Sequence, residues 1–264
     1  MSDRVFLACC VAGVLLLGGP QLALAQAAKA EPAQSVPSAD ELLRRVDRQA
    51  NAFKDATFHF RMRIKEPGGQ VREIEFTTLQ KGTQKRLVRF LSPGDIKGMG
   101  ILMESADTMY ALLPAFGNRV RRMGTHAKNQ SFFGSDLSTE DMAAVEFAPD
   151  YSARIAGTEG ELTLLELTLR PGRQAEFPRL RMWVDPTRYT VSKIEYLDQA
   201  GKKLRTQLRS DFKLDEGSEH YSPGKVVFID HRRNNHETEL ILLSSKVNTG
   251  LGDDQFTVRA LQRN

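Results

Sequence analysis

From Phe58 onward the chain alternates. Phe58, Phe60, Met62 and Ile64 are apolar, and His59, Arg61, Arg63 and Lys65 between them are polar. A period of two sends the two sets to opposite faces, which predicts a strand with one dry face and one wet face. Pro67-Gly68-Gly69 turns the chain, and Ile74, Phe76 and Thr78 then alternate with Glu73, Glu75 and Thr77. Lys81-Gly82-Thr83 turns it again into a third strand over 86–91. Similar runs follow at 100–104, 109–113, 152–155, 162–169, 179–184, 191–197, 204–212, 225–231 and 237–245, with a hairpin turn at Asp198-Gln199-Ala200-Gly201. These twelve short runs, read as a sheet of roughly ten or eleven strands, predict one antiparallel sheet or barrel rather than two domains. Asp253 to Val258 reads as a short terminal turn with Phe256 tucked under it.

One segment has a different period. Ser38 with Glu41 fits a capping box, and a helix follows to about Phe53. Leu42, Leu43, Val46, Ala50 and Phe53 fall on one face, while Arg44, Arg45, Asp47 and Arg48 fall on the other. Such a helix must lie on something apolar. A curved, unclosed sheet offers it a concave face. The interface is then either a dry core or an apolar ligand cavity, and the pattern alone leaves both open. If it is a cavity, Phe58, Phe60, Met62, Ile74, Phe76 and Trp183 are the candidate lining residues.

The N-terminus sets the compartment. Residues 1–25 read as a secretory signal: Arg4, an apolar run from Val5 to Leu17, a Gly-Gly-Pro break, and the small-x-small site Ala23-Leu24-Ala25. The run is too short to span a bilayer. Residues 26–37 are rich in Ala, Gln, Pro and Ser and read as a flexible linker, and 38–264 as the folded domain. The two cysteines, Cys9 and Cys10, precede most of the apolar run, which argues against lipidation. After residue 25 the chain has no cysteine, so its core must supply the stability. The periplasm is the expected location. The net charge of +4 could raise nucleic acid as a partner, but export leaves anionic lipid head groups or acidic proteins as available partners, or only solubility as the effect.

Candidate chemistry is sparse. His59, His126, His220, His231 and His236 show no zinc-ligand spacing. No Gly-x-Ser-x-Gly, phosphate loop or dinucleotide fingerprint occurs. Gly134-Ser135-Asp136 reads as a local cap, and Asp136, Glu140 and Asp141 as acids at the start of a short helix. No catalytic group, metal or cofactor is expected. Arg119 and Arg121 would share one strand face, with Val120 and Arg122 on the other. Two guanidiniums together suit a phosphate, a carboxylate or an acidic partner, or they simply discourage edge pairing. Phe132 and Phe133, in a glycine-bearing loop, would either plug the core or gate a cavity mouth.

The segments Tyr110-Ala-Leu-Leu-Pro-Ala-Phe-Gly-Asn-Arg-Val-Arg-Arg122 and Ser131-Phe-Phe-Gly-Ser-Asp-Leu-Ser-Thr-Glu-Asp-Met142 resemble the outer membrane lipoprotein-sorting-protein-like family, relatives of LolA-type periplasmic carriers. The early helix, the turn at Pro93-Gly94-Asp95-Ile96-Lys97-Gly98 and the ending Leu251-Gly-Asp-Asp-Gln-Phe-Thr-Val-Arg259 extend the likeness over the chain from Ser38 onward. The resemblance implies an unclosed β-barrel, mainly β with some α, covered by the N-terminal helix and a short helical lid loop. It implies a monomeric, non-catalytic carrier of lipid or lipoprotein acyl chains, working with an inner-membrane transporter of the resistance-nodulation-division (RND) type. On this chain it would place Tyr110, Leu112 and Pro114 by the cavity wall, Phe132 and Phe133 in the lid loop, and Arg119, Arg121 and Arg122 near the mouth. A sensor or adaptor of the same fold, regulating a membrane protein, is the competing expectation. An enzyme acting on lipid or envelope polymer would need a clustered acid–base set that the sequence does not contain.

Overall fold

A computed structural model describes residues 37–263, except 67, 106–107, 115–116, 118, 125–132, 139–140 and 142–145. The expected signal (1–25) and all but the last residue of the expected linker (26–37) lie outside the described residues.

Helix α1 spans Ala39–Ala50. Ser38 caps it, accepting the Glu41 backbone N–H at 3.2 Å. The Glu41 side chain does not complete the capping box. It binds Arg44, Arg45 and Arg48 instead, and this cluster holds its pKa down at about 2, the Arg48 hydrogen bond foremost. Asn51 ends the helix, short of the expected Phe53. Ser38→Ala should lower stability by about 1 kcal/mol in urea denaturation, since one helix-end N–H loses its acceptor.

Strands β1 (Asp55–Lys65), β2 (Val71–Lys81), β3 (Lys85–Ser92), β4 (Gly100–Ser105), β5 (Thr108–Leu113) and β6 (Arg119–Arg122) form a first meander. A second runs through β7 (Tyr151–Glu159), β8 (Leu162–Leu169), β9 (Arg179–Val184), β10 (Val191–Leu197) and β11 (Lys203–Ser210). A two-stranded ribbon, β12 (Lys213–Leu214) with β13 (Tyr221–Ser222), interrupts it before β14 (Lys225–Asp230) and β15 (His236–Val247). All pairings are antiparallel, and the sheet order is β6-β5-β4-β3-β2-β1-β15-β14-β11-β10-β9-β8-β7. Among the described residues the main sheet thus has 13 strands, more than the ten or eleven expected. The sheet is unclosed, with β6 and β7 at its edges. The first and last long strands form the central seam, where Ala56 sits opposite Val247.

Both faces of the first meander are covered. On the inner face, Met62, Ile64, Ile74, Phe76, Val88 and Phe90 form one cluster. On the outer face, Leu87, Leu102 and Leu112 pack under the C-terminal segment, where Phe256 and Leu261 are buried. That segment ends in helix α2 (Val258–Gln262), capped by Thr257 at its start and met by the Arg89 guanidinium at its last carbonyls. Gly100 permits the contact, because a Cβ there would lie 2.7 Å from Leu261 Cδ1. Over the second meander α1 lays Leu42, Leu43 and Val46 on Leu165, Leu180 and Met182. This part of the interface is a dry core.

Candidate functional site

Beyond Val46 the helix stops filling the space beneath it. Ala50 and the post-helical Phe53 border a cavity of about 320 Å³ between α1 and the concave sheet. Phe58 and Phe60 from β1, Val226 and Phe228 from β14, and Leu240 and Leu242 from β15 line its apolar floor. The interface therefore holds both alternatives, a dry core under the first turns of α1 and a cavity at its end. Phe53, Phe58, Phe60, Phe76 and Phe90 form a chain of rings with centroids 5.5–5.9 Å apart, running from the cavity into the sealed cluster.

The expected lining residues separate accordingly. Phe58 and Phe60 border the cavity. Met62, Ile74 and Phe76 share their face but lie farther along the strands, in the sealed cluster and not on the cavity wall. Tyr110 and Leu112 face the other way: the strand period that turns Met109 inward sends them outward, beneath the C-terminal segment. Pro114 opens the turn to β6, its carbonyl accepting from Gly117 N–H at 3.0 Å. Trp183 is on the face opposite Met182. Its Nε1 donates to Glu159 at 2.6 Å, and the Lys193 ammonium sits 4.0 Å above its ring. Phe133 packs against the first-meander cluster, its ring 5.1 Å from Phe90. Phe132 lies outside the described residues. Arg119, Arg121 and Arg122 are exposed on edge strand β6, away from the cavity lining, with no ion pair among the described residues.

The loop after Phe133 is tied down by polar contacts. Asp136 accepts from Thr238 Oγ1 at 2.8 Å, His236 Nδ1 at 2.7 Å and Arg233 Nη1 at 3.0 Å. Ser138 and Asp141 cap one another, Ser138 N–H donating to Asp141 at 2.7 Å and Asp141 N–H to Ser138 Oγ at 3.1 Å. Glu140, the third acid of the sequence reading, lies outside the described residues. Asp141 also receives both terminal nitrogens of Arg205 at 2.6 Å. Arg205 is 2% exposed and stacked on Tyr196 and Phe177, with its guanidinium carbon 4.1 and 4.7 Å from the ring centres. Burial works against its charge, but Tyr196 and Asp141 outweigh it and raise its pKa. Arg205 thereby fastens this loop to β11.

A second tether joins α1 to the cavity rim. Buried Asp47 accepts from Phe147 N–H at 2.9 Å and Ala148 N–H at 2.7 Å. Burial still lifts its pKa to about 6. The folded state therefore holds this proton more tightly than the unfolded chain, so Asp47's contribution to stability falls as pH rises from about 4 through 6.

At the ribbon, Asp215, His220 and Ser222 come together. The Asp215 carboxylate lies 2.6 Å from His220 Nδ1 and 2.6 Å from Ser222 Oγ, and Ser245 donates to it as well. Burial opposes the charge on Asp215, but these donors prevail and hold its pKa below the usual carboxylate value. Asp215 and Ser222 both sit on the Nδ1 side of the ring, so the hydroxyl reaches the acid directly. This is not the relay of a hydrolase, in which the imidazole stands between them. The His220 ring packs edge-on against Phe53, 4.9 Å between centres, and borders the cavity.

Arg86, Arg205, Arg209, Gln80 and Gln207 also reach the cavity, and none was singled out from sequence. Strand parity is the signal that could have found Gln80 and Arg86, but not Arg205, Gln207 and Arg209, because β11 leaves Leu208 on the opposite, exposed face. Gln80 follows Ile74, Phe76 and Thr78 on one face, and Arg86 precedes Val88 and Phe90 on the same face.

A family model described as "-like: Uncharacterized protein" matches residues 82–263. No curated protein matches the sequence. Among solved structures, the chain is similar to an outer membrane lipoprotein-sorting protein domain from Vibrio parahaemolyticus, with 23% identity and a TM-score of 0.75 over 85% of this chain and 98% of that one. It is similar to a DUF1329 family protein from Desulfovibrio piger, with 25% identity and a TM-score of 0.76 over 84% and 97% of the two chains. It is also similar to a LolA superfamily protein from Nitrosomonas europaea, with 20% identity and a TM-score of 0.70 over 85% and 100%.

Proposed function

The chain belongs to the family whose model spans residues 82–263 and has the LolA-like fold of outer membrane lipoprotein-sorting proteins, and from this premise we propose that it is a periplasmic carrier of acyl chains. The observation that supports this reading is the cavity of about 320 Å³ between α1 and the concave sheet, floored by aromatic and aliphatic side chains. That volume falls in the range of small-molecule sites, which are concave and mostly apolar. An acyl chain gains about 0.8 kcal/mol for each buried methylene, so about a dozen methylenes supply on the order of 10 kcal/mol before binding costs. No cofactor is needed. The carrier takes lipid or lipoprotein chains and passes them between envelope membranes, receiving cargo from an inner-membrane RND-type transporter. Release follows when the lid loop lets go or a tighter acceptor takes the cargo. Arg119, Arg121 and Arg122, exposed on β6, are the surface proposed for head groups or the membrane partner.

Native mass spectrometry of the purified protein, with displacement of a fluorescent fatty acid, tests the reading. Bound lipid and saturable displacement are expected. Phe60→Asp should weaken both by at least about tenfold, because a carboxylate on the cavity floor must be desolvated or leave the floor wet. Absence of lipid and dye binding in the unaltered protein overturns the reading.

A further inference from the structure

The cavity is apolar on its floor but not neutral. Most arginines of this fold meet a carboxylate: Arg61 meets Glu75, Arg63 meets Glu73, Arg181 meets Glu166, Arg205 meets Asp141 and Arg232 meets Asp230. Arg86 and Arg209, both on the cavity wall, do not. Each is held by a neutral amide instead. Arg86 Nη2 donates to Gln80 Oε1 at 2.7 Å, and Arg209 Nη2 donates to Gln207 Oε1 at 3.3 Å. The Nε of each is buried with no hydrogen-bond partner. Burial pulls the Arg86 pKa down to about 10 and lowers that of Arg209, with no carboxylate offsetting it.

Both side chains are half-buried, and a guanidinium drawn even partly out of water without a counter-charge is costly. Here two are retained, on β3 and β11, at opposite flanks of one cavity. The glutamines orient them without neutralising them. We propose that the cavity takes amphiphiles with an anionic head, a carboxylate or a phosphate, and that the acid group is drawn inside to be neutralised by Arg86 or Arg209 while the alkyl chain lies along Phe58, Phe60 and Leu242. This rests on the carrier reading and narrows it from acyl chains in general to acid-headed ones. It also makes the bound state the electrically balanced one. Guanidiniums suit either anion, because their planar fork matches both carboxylate and phosphate oxygens.

The test compares four probes of equal chain length by calorimetry at low ionic strength: dodecanoate, dodecyl phosphate, dodecanol and dodecyltrimethylammonium. The unaltered protein should bind at least one of the two anions about tenfold or more tighter than dodecanol, and the cation least of all. The stronger anion identifies the source, a fatty acid if dodecanoate and a phosphate-headed lipid if dodecyl phosphate. Arg86→Gln and Arg209→Gln should each reduce the preference, and the double variant should bind the anions no tighter than dodecanol. Unliganded, both single variants should melt no lower than the unaltered protein, since each removes a half-buried charge that has no carboxylate partner. Equal binding of dodecanoate, dodecyl phosphate and dodecanol by the unaltered protein overturns this inference and leaves the carrier reading standing. So does a double variant that keeps its anion preference. Lower melting temperatures in both single variants would assign the arginines to holding the fold. If none of the four probes binds, the carrier reading itself fails.

Discussion

Asp141→Ala should cost about 3–5 kcal/mol of folding stability, measured as a lowered urea midpoint at unchanged slope. The substitution strands Arg205, which is 2% exposed and stacked between aromatic rings, without its carboxylate. Among the described residues its remaining hydrogen-bond acceptor is the Asp136 carbonyl at 3.3 Å, too little for a buried guanidinium. Replacing both partners together, as Arg205→Met with Asp141→Leu, should recover most of the loss, because the buried charge leaves with its partner. The single variant should also release the lid loop, so amide exchange over 135–138 should speed up more than exchange in β11. A loss below about 1 kcal/mol would place this pair among ordinary surface ion pairs and remove it as the fastening of the loop.

Phe76→Ala should be comparably severe, at about 3–5 kcal/mol. Its ring is 1% exposed and packed against Phe60 and Phe90, with centroids 5.5 and 5.7 Å away. Truncation leaves a hole that a sheet covered on both faces cannot collapse to fill. Phe60→Ala, one ring closer to the cavity, should cost less stability and more ligand affinity, because Phe60 already borders unfilled space. Thermal unfolding of the two variants beside dye titration separates the roles. Equal stability losses would mean that the cavity floor is packed as tightly as the core.

That pair of phenylalanines marks where the sequence stops being informative. Alternation placed Phe58, Phe60, Met62, Ile74 and Phe76 on one face, and the structure has them there. Whether a side chain on that face meets another side chain or a void depends on how far α1 reaches along the strands, and on where the chain leaves the helix. Sequence patterning put the end near Phe53, whereas Asn51 ends it. That early exit leaves Phe53 to border the cavity from a turn. The sheet was legible because each strand carries its own period. β6 and the β12–β13 ribbon were harder to count, being four and two residues long. Tyr110 and Leu112 were assigned to the cavity through resemblance, but their own parity sends them outward. The cavity arginines were overlooked because a polar residue in an alternating strand ordinarily faces water. Arg86 continues the face of Val88 and Phe90, so parity followed to the strand end exposes it, but β11 turns Arg205, Gln207 and Arg209 inward and leaves Leu208 exposed, so parity misleads there.

The seam between β1 and β15 has a consequence for how the chain reaches its final form. Local hairpins can assemble within each half as soon as their residues exist, but the join between the halves waits for nearly the whole polypeptide. Until β15 arrives, β1 offers a bare row of amides and carbonyls beside a greasy surface, an invitation to foreign strands. Ala56 meeting Val247 is therefore a late event in assembly, and the long interval before it is when a newly made copy is most exposed to aggregation.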